Sequence, residues 1–340
     1  MISKTISRYR FIKKLRKGGM GTLYLAEDLT LRRQVTVKML STDTKEYRSL
    51  FLREAQTMSA LTHPNIPNVF ESGESVEGEP YIVMEFVQGE SLEHKLRGGS
   101  LPLEEAVSIV SKIADALGYA HRRGVIHRDI KPSNILIADG GVKLIDFGMS
   151  KLVSDPKVER IPNRGASRVP RVTGRYGFAG TVAYASPEQI MEKRADPRSD
   201  LFALGVVLYE CITGKAPFAG SSWTEFCDQI RNFTPPAPSK VNDLVPPEMD
   251  RVTMKAIEKK VKDRYQSADQ MIQDLDAVLS VLGLRQVSST PADLQDVESE
   301  FEELLARMQT RKSKSGLKAA FKSSPEELGR AAVRYARKQR

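Results

Sequence analysis

Short runs in which apolar and polar residues alternate open the chain, separated by tight turns. The segments RYRFIKKL, TLYLAEDL and QVTVKML predict three strands, with KGGMG and LTLRR as the turns between them. A helical pattern over 45–61 follows, with Leu50, Glu54 and Met58 at four-residue steps on one face. IPNVFESG and PYIVMEFV predict two further strands. Five strands around one helix make a small lobe that ends near Gly89. Beyond it the period becomes helical. In PLEEAVSIVSKIADALGYAHRRG the apolar positions Ala106, Ile109, Val110, Ile113 and Leu117 form the stripe of an amphipathic helix. VIHRDIKPSNILI and VKLIDFG read as strand-and-turn segments, and helices resume from Pro187 to about Leu284. A long irregular stretch over 154–180 is rich in Arg, Ser, Gly and Pro, and loops of that length inside a compact domain are usually functional. No internal repeat is found.

After Leu284 the character changes. RQVSSTP reads as a linker, and 292–309 suits an acidic amphipathic helix with Leu294, Val297, Phe301, Leu304 and Met308 at three- and four-residue steps. The basic linker RKSKSGLK leads to a last helix opened by Ser324-Pro325-Glu326-Glu327, an N-cap followed by a first-turn proline and a capping-box glutamate.

Composition narrows the class. Over 340 residues, 40% hydrophobic and 28% charged is the balance of a soluble globular protein. The longest apolar stretch, LFALGVVLYECI, is too short to span a bilayer and reads as a buried helix, and MISKTISRYR carries no secretory signal. Two cysteines, Cys211 and Cys227, support neither a disulfide framework nor a zinc site and suit a reducing, cytoplasmic compartment. The net charge of +9 is concentrated at the end: from Arg311 onward ten basic residues face two acidic ones. The core is therefore not read as a nucleic-acid binder, and such a basic run is more often a solvated face.

Candidate chemistry begins with Lys17-Gly18-Gly19-Met20-Gly21 between two strands. Such a turn lets backbone N–H groups approach phosphate oxygens, although an isolated match is better explained by hairpin geometry. Val35-Thr36-Val37-Lys38 ends an apolar strand on a lysine, which burial would require to be paired, and Glu54 on the next helix is a ready partner. Far more specific is His127-Arg128-Asp129-Ile130-Lys131-Pro132-Ser133-Asn134, followed by Asp146-Phe147-Gly148. Phosphoryl transfer to a hydroxyl needs a carboxylate to accept the proton, which suits Asp129. It needs a cation for the developing charge, which suits Lys131, and oxygen ligands for Mg²⁺, which suits Asn134 and Asp146.

In this ordered set the chain resembles the Hanks-type, eukaryotic-like Ser/Thr protein kinases, most of all their bacterial branch, over roughly residues 9–282. The resemblance implies an α+β, bilobal fold: an N-lobe over 9–89, a C-lobe over 90–284, and a linker with a basic helical tail over 285–340. It implies a glycine-rich loop over ATP formed by Leu15, Arg16, Lys17, Gly18, Gly19, Met20, Gly21, Thr22 and Leu23. Lys38 would hold the α/β-phosphates and pair with Glu54. Met84 would be the gatekeeper, Glu85 to Val87 the adenine hinge, and Leu23, Thr36 and Leu136 the adenine sandwich. Asp129 becomes the base, and Asn134 and Asp146 the magnesium ligands. Glu188 is expected to pair with Arg264, and Asp200 to brace the catalytic loop. Lys131-Pro132 with Thr181 resembles Ser/Thr rather than Tyr kinases, so the implied partners are proteins with Ser/Thr acceptors. The chain departs from the family's pattern at Arg16, where glycine is usual, and at Thr36, where alanine is usual. The rivals are a pseudokinase scaffold and a nucleic-acid binder acting through the tail. Thr173, with Ser167 second, is the expected phosphorylation site of the activation segment. The tail's apolar stripe suggests docking on the kinase domain or self-association.

Overall fold

The computed structural model describes residues 5–17, 21–40, 44–147, 151–152, 183–191 and 195–284. The chain divides into two compact units, Met1–Leu284 and Arg285–Arg340. The tail helices, the 154–180 segment with Thr173 and Ser167, and Thr181 lie outside the described residues, as do Gly18, Gly19, Met20 and Gly148.

In the N-lobe, β1 (Thr5–Ile6), β2 (Tyr9–Lys17), β3 (Gly21–Asp28), β4 (Arg33–Leu40), β5 (Val69–Glu74) and β6 (Pro80–Glu85) form one antiparallel sheet in the order β1-β2-β3-β4-β6-β5. The sheet has six strands rather than five. Thr5–Ile6 is too short for its alternation to be read, yet Ile6 is buried. The period of two then sorts the side chains. Val35, Val37 and Met39 of β4 and Tyr81 and Val83 of β6 pack with Tyr9 and Phe11 on one face. The intervening Leu40 and Ile82 pack against Phe51 and Ala55 of α1 (Lys45–Ser59) on the other. Both faces are covered, so a slip of one residue would exchange the two sets and expose neither to its partner.

The C-lobe follows β7 (Gly89–Ser91) and α2 (Leu92–Leu96). Its framework is α3 (Leu103–Arg122), β8 (Val125–Ile126), β9 (Ile135–Ala138), β10 (Gly141–Leu144), β11 (Lys151–Leu152), α4 (Pro187–Ile190), α5 (Pro197–Thr213), α6 (Trp223–Asn232), α7 (Glu248–Ala256) and α8 (Ala268–Val281). The LFALGVVLYECI run lies in α5, and its being apolar all round has a direct cause. Leu201, Leu204, Val207, Leu208, Cys211 and Ile212 enter the main core with α3, α7 and α8, while Phe202, Val206 and Tyr209 enter a second cluster with Phe218, Phe226 and Ile230. Full burial of each large side chain contributes about 1.5–3 kcal/mol. Asp196 caps the start of α5 by accepting from Arg198 N–H, and Gly214 closes it at φ 70°. At Gly205 a Cβ would stand 2.5 Å from that of Ala256, so glycine is what lets α5 and α7 touch. Cys211 is buried and Cys227 half-buried, and both are free thiols. No helix among the described residues is long and apolar enough to cross a membrane.

Candidate active site

The cleft wall on the N-lobe side is the α1-facing side of β3, β4 and β6. The register sets Leu23 opposite Lys38, Leu25 opposite Thr36, and Thr36 opposite Met84, so these residues share one face. Lys38 is buried and its Nζ lies 2.6 Å from Glu54 Oε1 and 3.6 Å from Asp146 Oδ1. Burial opposes the Lys38 charge, but Glu54 and Asp146 outweigh it and raise the ammonium above its ordinary range. The α1 pattern delivers this pair, since Glu54 sits one residue before Ala55 and four before the buried Met58. Leu50's side chain lies outside the described residues. Leu15, Arg16 and Lys17 are exposed at the end of β2, where register shifts bend the strand. Thr22 is buried, and Leu23, Met84, Glu85, Val87 and Leu136 are half-buried. Gly21 has a packing reason of its own: a Cβ there would fall 2.5 Å from the Met39 carbonyl oxygen of β4.

The opposite wall is the loop between β8 and the 3₁₀ turn Pro132–Asn134. Arg128 and Asp146 each have φ 69°, a conformation that costs a non-glycine residue and needs support. Asp200 supplies it for Arg128 from inside α5: Oδ2 accepts from His127 N–H at 2.9 Å and Oδ1 from Arg128 N–H at 2.8 Å, and His121 Nε2 is 2.8 Å from Oδ2. Burial would raise the Asp200 carboxyl, but the His121 bond first, and then the charges and N–H groups around it, hold it below its usual range. The His127 ring packs edge-on to Phe147 at 4.5 Å and lies 3.2 Å from the Ile145 carbonyl, and burial favours its neutral form.

Asp129 is pinned from two sides. Lys131 Nζ reaches both carboxylate oxygens, at 2.9 and 2.7 Å, and Asn134 Nδ2 donates to Oδ2 at 3.0 Å and to the Asp129 carbonyl at 2.9 Å. The Asn134 carbonyl accepts from Ile145 N–H at 2.9 Å, tying that turn to the neighbourhood of Asp146. Burial works to raise Asp146, but Lys38, then Arg16, hold it below the carboxylate range, so the Arg16 charge is felt across the cleft. Glu188 forms a two-pronged pair with Arg264, 2.9 Å on each side, and accepts from Ser199 Oγ at 2.6 Å.

Several residues around the site carried no sequence signal. His121 ends an ordinary amphipathic helix. Gln189, next to Glu188, donates to the Arg128 carbonyl at 3.0 Å. Glu85, read as a hinge residue, also has its side chain engaged by Lys143 of β10 at 2.7 Å and by Asn68 N–H at 3.1 Å, joining the two lobes. Lys143 alternates within VKLID like any exposed strand residue, and only the closure of the cleft gives it a partner.

A strand-borne wall facing a loop wall, a buried Lys–Glu pair and a pinned Asp129 define a phosphotransferase-type site, and comparison with known proteins is specific. Residues 9–314 match the protein kinase domain family. The chain is 38% identical over 276 residues to serine/threonine-protein kinase PknB of Mycobacterium leprae, covering 79% of this chain and 42% of that protein. It is 37% identical over 281 residues to serine/threonine-protein kinase PrkC of Bacillus subtilis, covering 81% and 41%. A probable serine/threonine-protein kinase of Streptomyces coelicolor matches at 38% over 280 residues, 80% of this chain and 40% of that protein. The chain belongs to the protein kinase domain family, in its bacterial Hanks-type serine/threonine branch. It spans about two fifths of the length of these relatives.

Proposed function

We propose that the chain transfers the γ-phosphoryl group of ATP to serine or threonine hydroxyls of proteins, with Mg²⁺ as the accompanying cation. The observation that carries this reading is the division of work within Asn134. Its amide nitrogen is committed to Asp129, while Oδ1 is buried and has no hydrogen-bond partner among the described residues. A buried oxygen left in that state next to a carboxylate-bearing turn fits a hard cation. In this reading Asn134 and Asp146 hold magnesium, whose charge when bound would draw phosphate oxygens together and offset the charge that develops in transfer.

The chain's own groups supply the rest. Lys38, kept charged by Glu54 and Asp146, takes the α- and β-phosphates. Asp129, oriented by Lys131 and Asn134, aligns the acceptor hydroxyl and accepts its proton, and Lys131 meets the developing charge on the phosphoryl. Leu15 to Leu23 cover the nucleotide. Leu23, Thr36 and Leu136 sandwich the adenine, with Met84, Glu85 and Val87 along its edge. We assign the kinase domain to 9–284, with lobes 9–89 and 90–284, and 285–340 to a linker and basic tail. A cytoplasmic setting fits the ATP supply and the two free thiols. Autophosphorylation at Thr173 is supported by sequence alone: six basic side chains in 154–180 and Arg128 beside the base are partners for a phosphate.

The test is transfer from radiolabelled ATP to a protein substrate by the wild type, Asp129→Asn and Asp146→Ala. Each variant should lose on the order of 10²-fold or more in turnover. Equal labelling by all three would refute the proposal.

A further inference from the structure

We propose that Gln189 is a positioning residue for the catalytic loop, holding the Arg128 carbonyl so that Asp129 keeps its place. The inference rests on the phosphotransfer role of Asp129 proposed above, but the geometry behind it is independent of that role. Arg128 directly precedes Asp129 and has φ 69°. A non-glycine residue stays in that region only where its surroundings over-determine it. Two side chains grip its backbone. Asp200 Oδ1 accepts from the Arg128 N–H at 2.8 Å, and Gln189 Nε2 donates to the Arg128 C=O at 3.0 Å. The first bond fixes the peptide entering Arg128. The second fixes the peptide leaving it, which is the one that carries Asp129.

The orientation of the Gln189 amide is unambiguous. Its Oε1 accepts from Ser186 N–H at 3.0 Å, and a backbone N–H can only donate. Oε1 therefore faces Ser186, and Nε2 faces the Arg128 carbonyl, which can only accept. Ser186 Oγ is a further 3.0 Å contact to the same Oε1. The residue is thus fixed at one end by the capping box of α4 and presents its donor at the other. Its base is rigid, because the adjacent Glu188 is locked to the buried Arg264. Gln189 therefore connects the segment leading into α4 with the peptide next to Asp129, across 61 residues of sequence.

Glutamate at 189 separates the two tasks. A carboxylate satisfies the Ser186 capping box as well as an amide does, but it has no proton to give the Arg128 carbonyl. Methionine removes both bonds at similar length. Wild type, Gln189→Glu and Gln189→Met are compared in steady-state kinetics, thermal melting and amide hydrogen exchange, with Asp129→Asn as the activity baseline. Both variants should lose about 10-fold or more in kcat, the scale on which small misplacements act, with KM for ATP within about twofold. Gln189→Glu should melt within about 2 °C of wild type while Gln189→Met melts lower. Exchange should rise across residues 126–131 in both variants and stay unchanged across 200–213. A wild type no better than Asp129→Asn would sink the proposed function alone, and the exchange result would still decide the role of Gln189. Wild-type kcat together with wild-type exchange in Gln189→Glu would leave Gln189 a helix cap only and overturn the inference.

Discussion

At the scale of single residues, Arg128 is held in a strained backbone by the buried acceptor Asp200 and the donor Gln189. The left-handed backbones of Arg128 and Asp146 cost of order 1–3 kcal/mol each, and the bonds to Asp200 help to offset the first of them. Arg16 is a departure from the family pattern whose charge acts on Asp146. In the function proposed above, a cation there would compete with magnesium for the same carboxylate. Arg16→Gly should therefore lower the KM for ATP, measured at several magnesium concentrations, and the gain should shrink as magnesium saturates. A raised KM would show that Arg16 contributes a favourable phosphate contact. Asp129, Lys131 and Asn134 stand out in the sequence because one short stretch of chain carries them, and the structure draws them together and sets Asp146 beside Lys38. Gln189 and His121 were not, because glutamine in a short helix and histidine at a helix end are common residues whose partners lie 61 and 79 positions away.

At the scale of elements, the Glu188–Arg264 pair joins α4 to the loop before α8. Burial pushes the Glu188 carboxyl up, but Arg264 and the Ser199 hydroxyl outweigh it and hold it at about 2. A folded-state value below the unfolded one gives stability that is complete above about pH 4.5 and is lost as pH falls toward 2. Removing one partner of such a buried pair costs about 3–5 kcal/mol, so Glu188→Gln should melt well below wild type at pH 7. Its melting temperature should also change less than the wild type's between pH 5 and 3, as thermal unfolding across that range would record. Parallel pH curves would exclude Glu188 as the titrating group. The elements themselves were read well where their patterns are long. The α3 stripe is buried at Ala106, Ile109, Val110, Ile113 and Leu117, and the β4 alternation sorts onto two faces. Short pieces were missed, because two residues such as Thr5–Ile6 carry no period.

At the scale of the molecule, the kinase domain and the tail pose separate questions. The sequence suggests an apolar stripe over 292–309, and such a stripe would be too narrow to fold alone, so we propose that it docks on this domain or on a second copy. Deleting residues from 292 onward should change either turnover or the oligomeric state measured by light scattering. A truncated protein identical in both would reduce the tail to a tether. What the sequence by itself determined was local: the strand period, the amphipathic helices and the order of chemical groups along the chain. Each depends on neighbours a few residues apart, where backbone geometry dictates which side chains can meet. Tertiary structure alone decided the register that sets Leu23 opposite Lys38, the Glu85–Lys143 bridge between the lobes, and the grip of Gln189 on Arg128. Those contacts form only when burial of the two faces of the sheet and of α5 has brought distant segments together, and no periodicity along the chain encodes which polar groups then face each other.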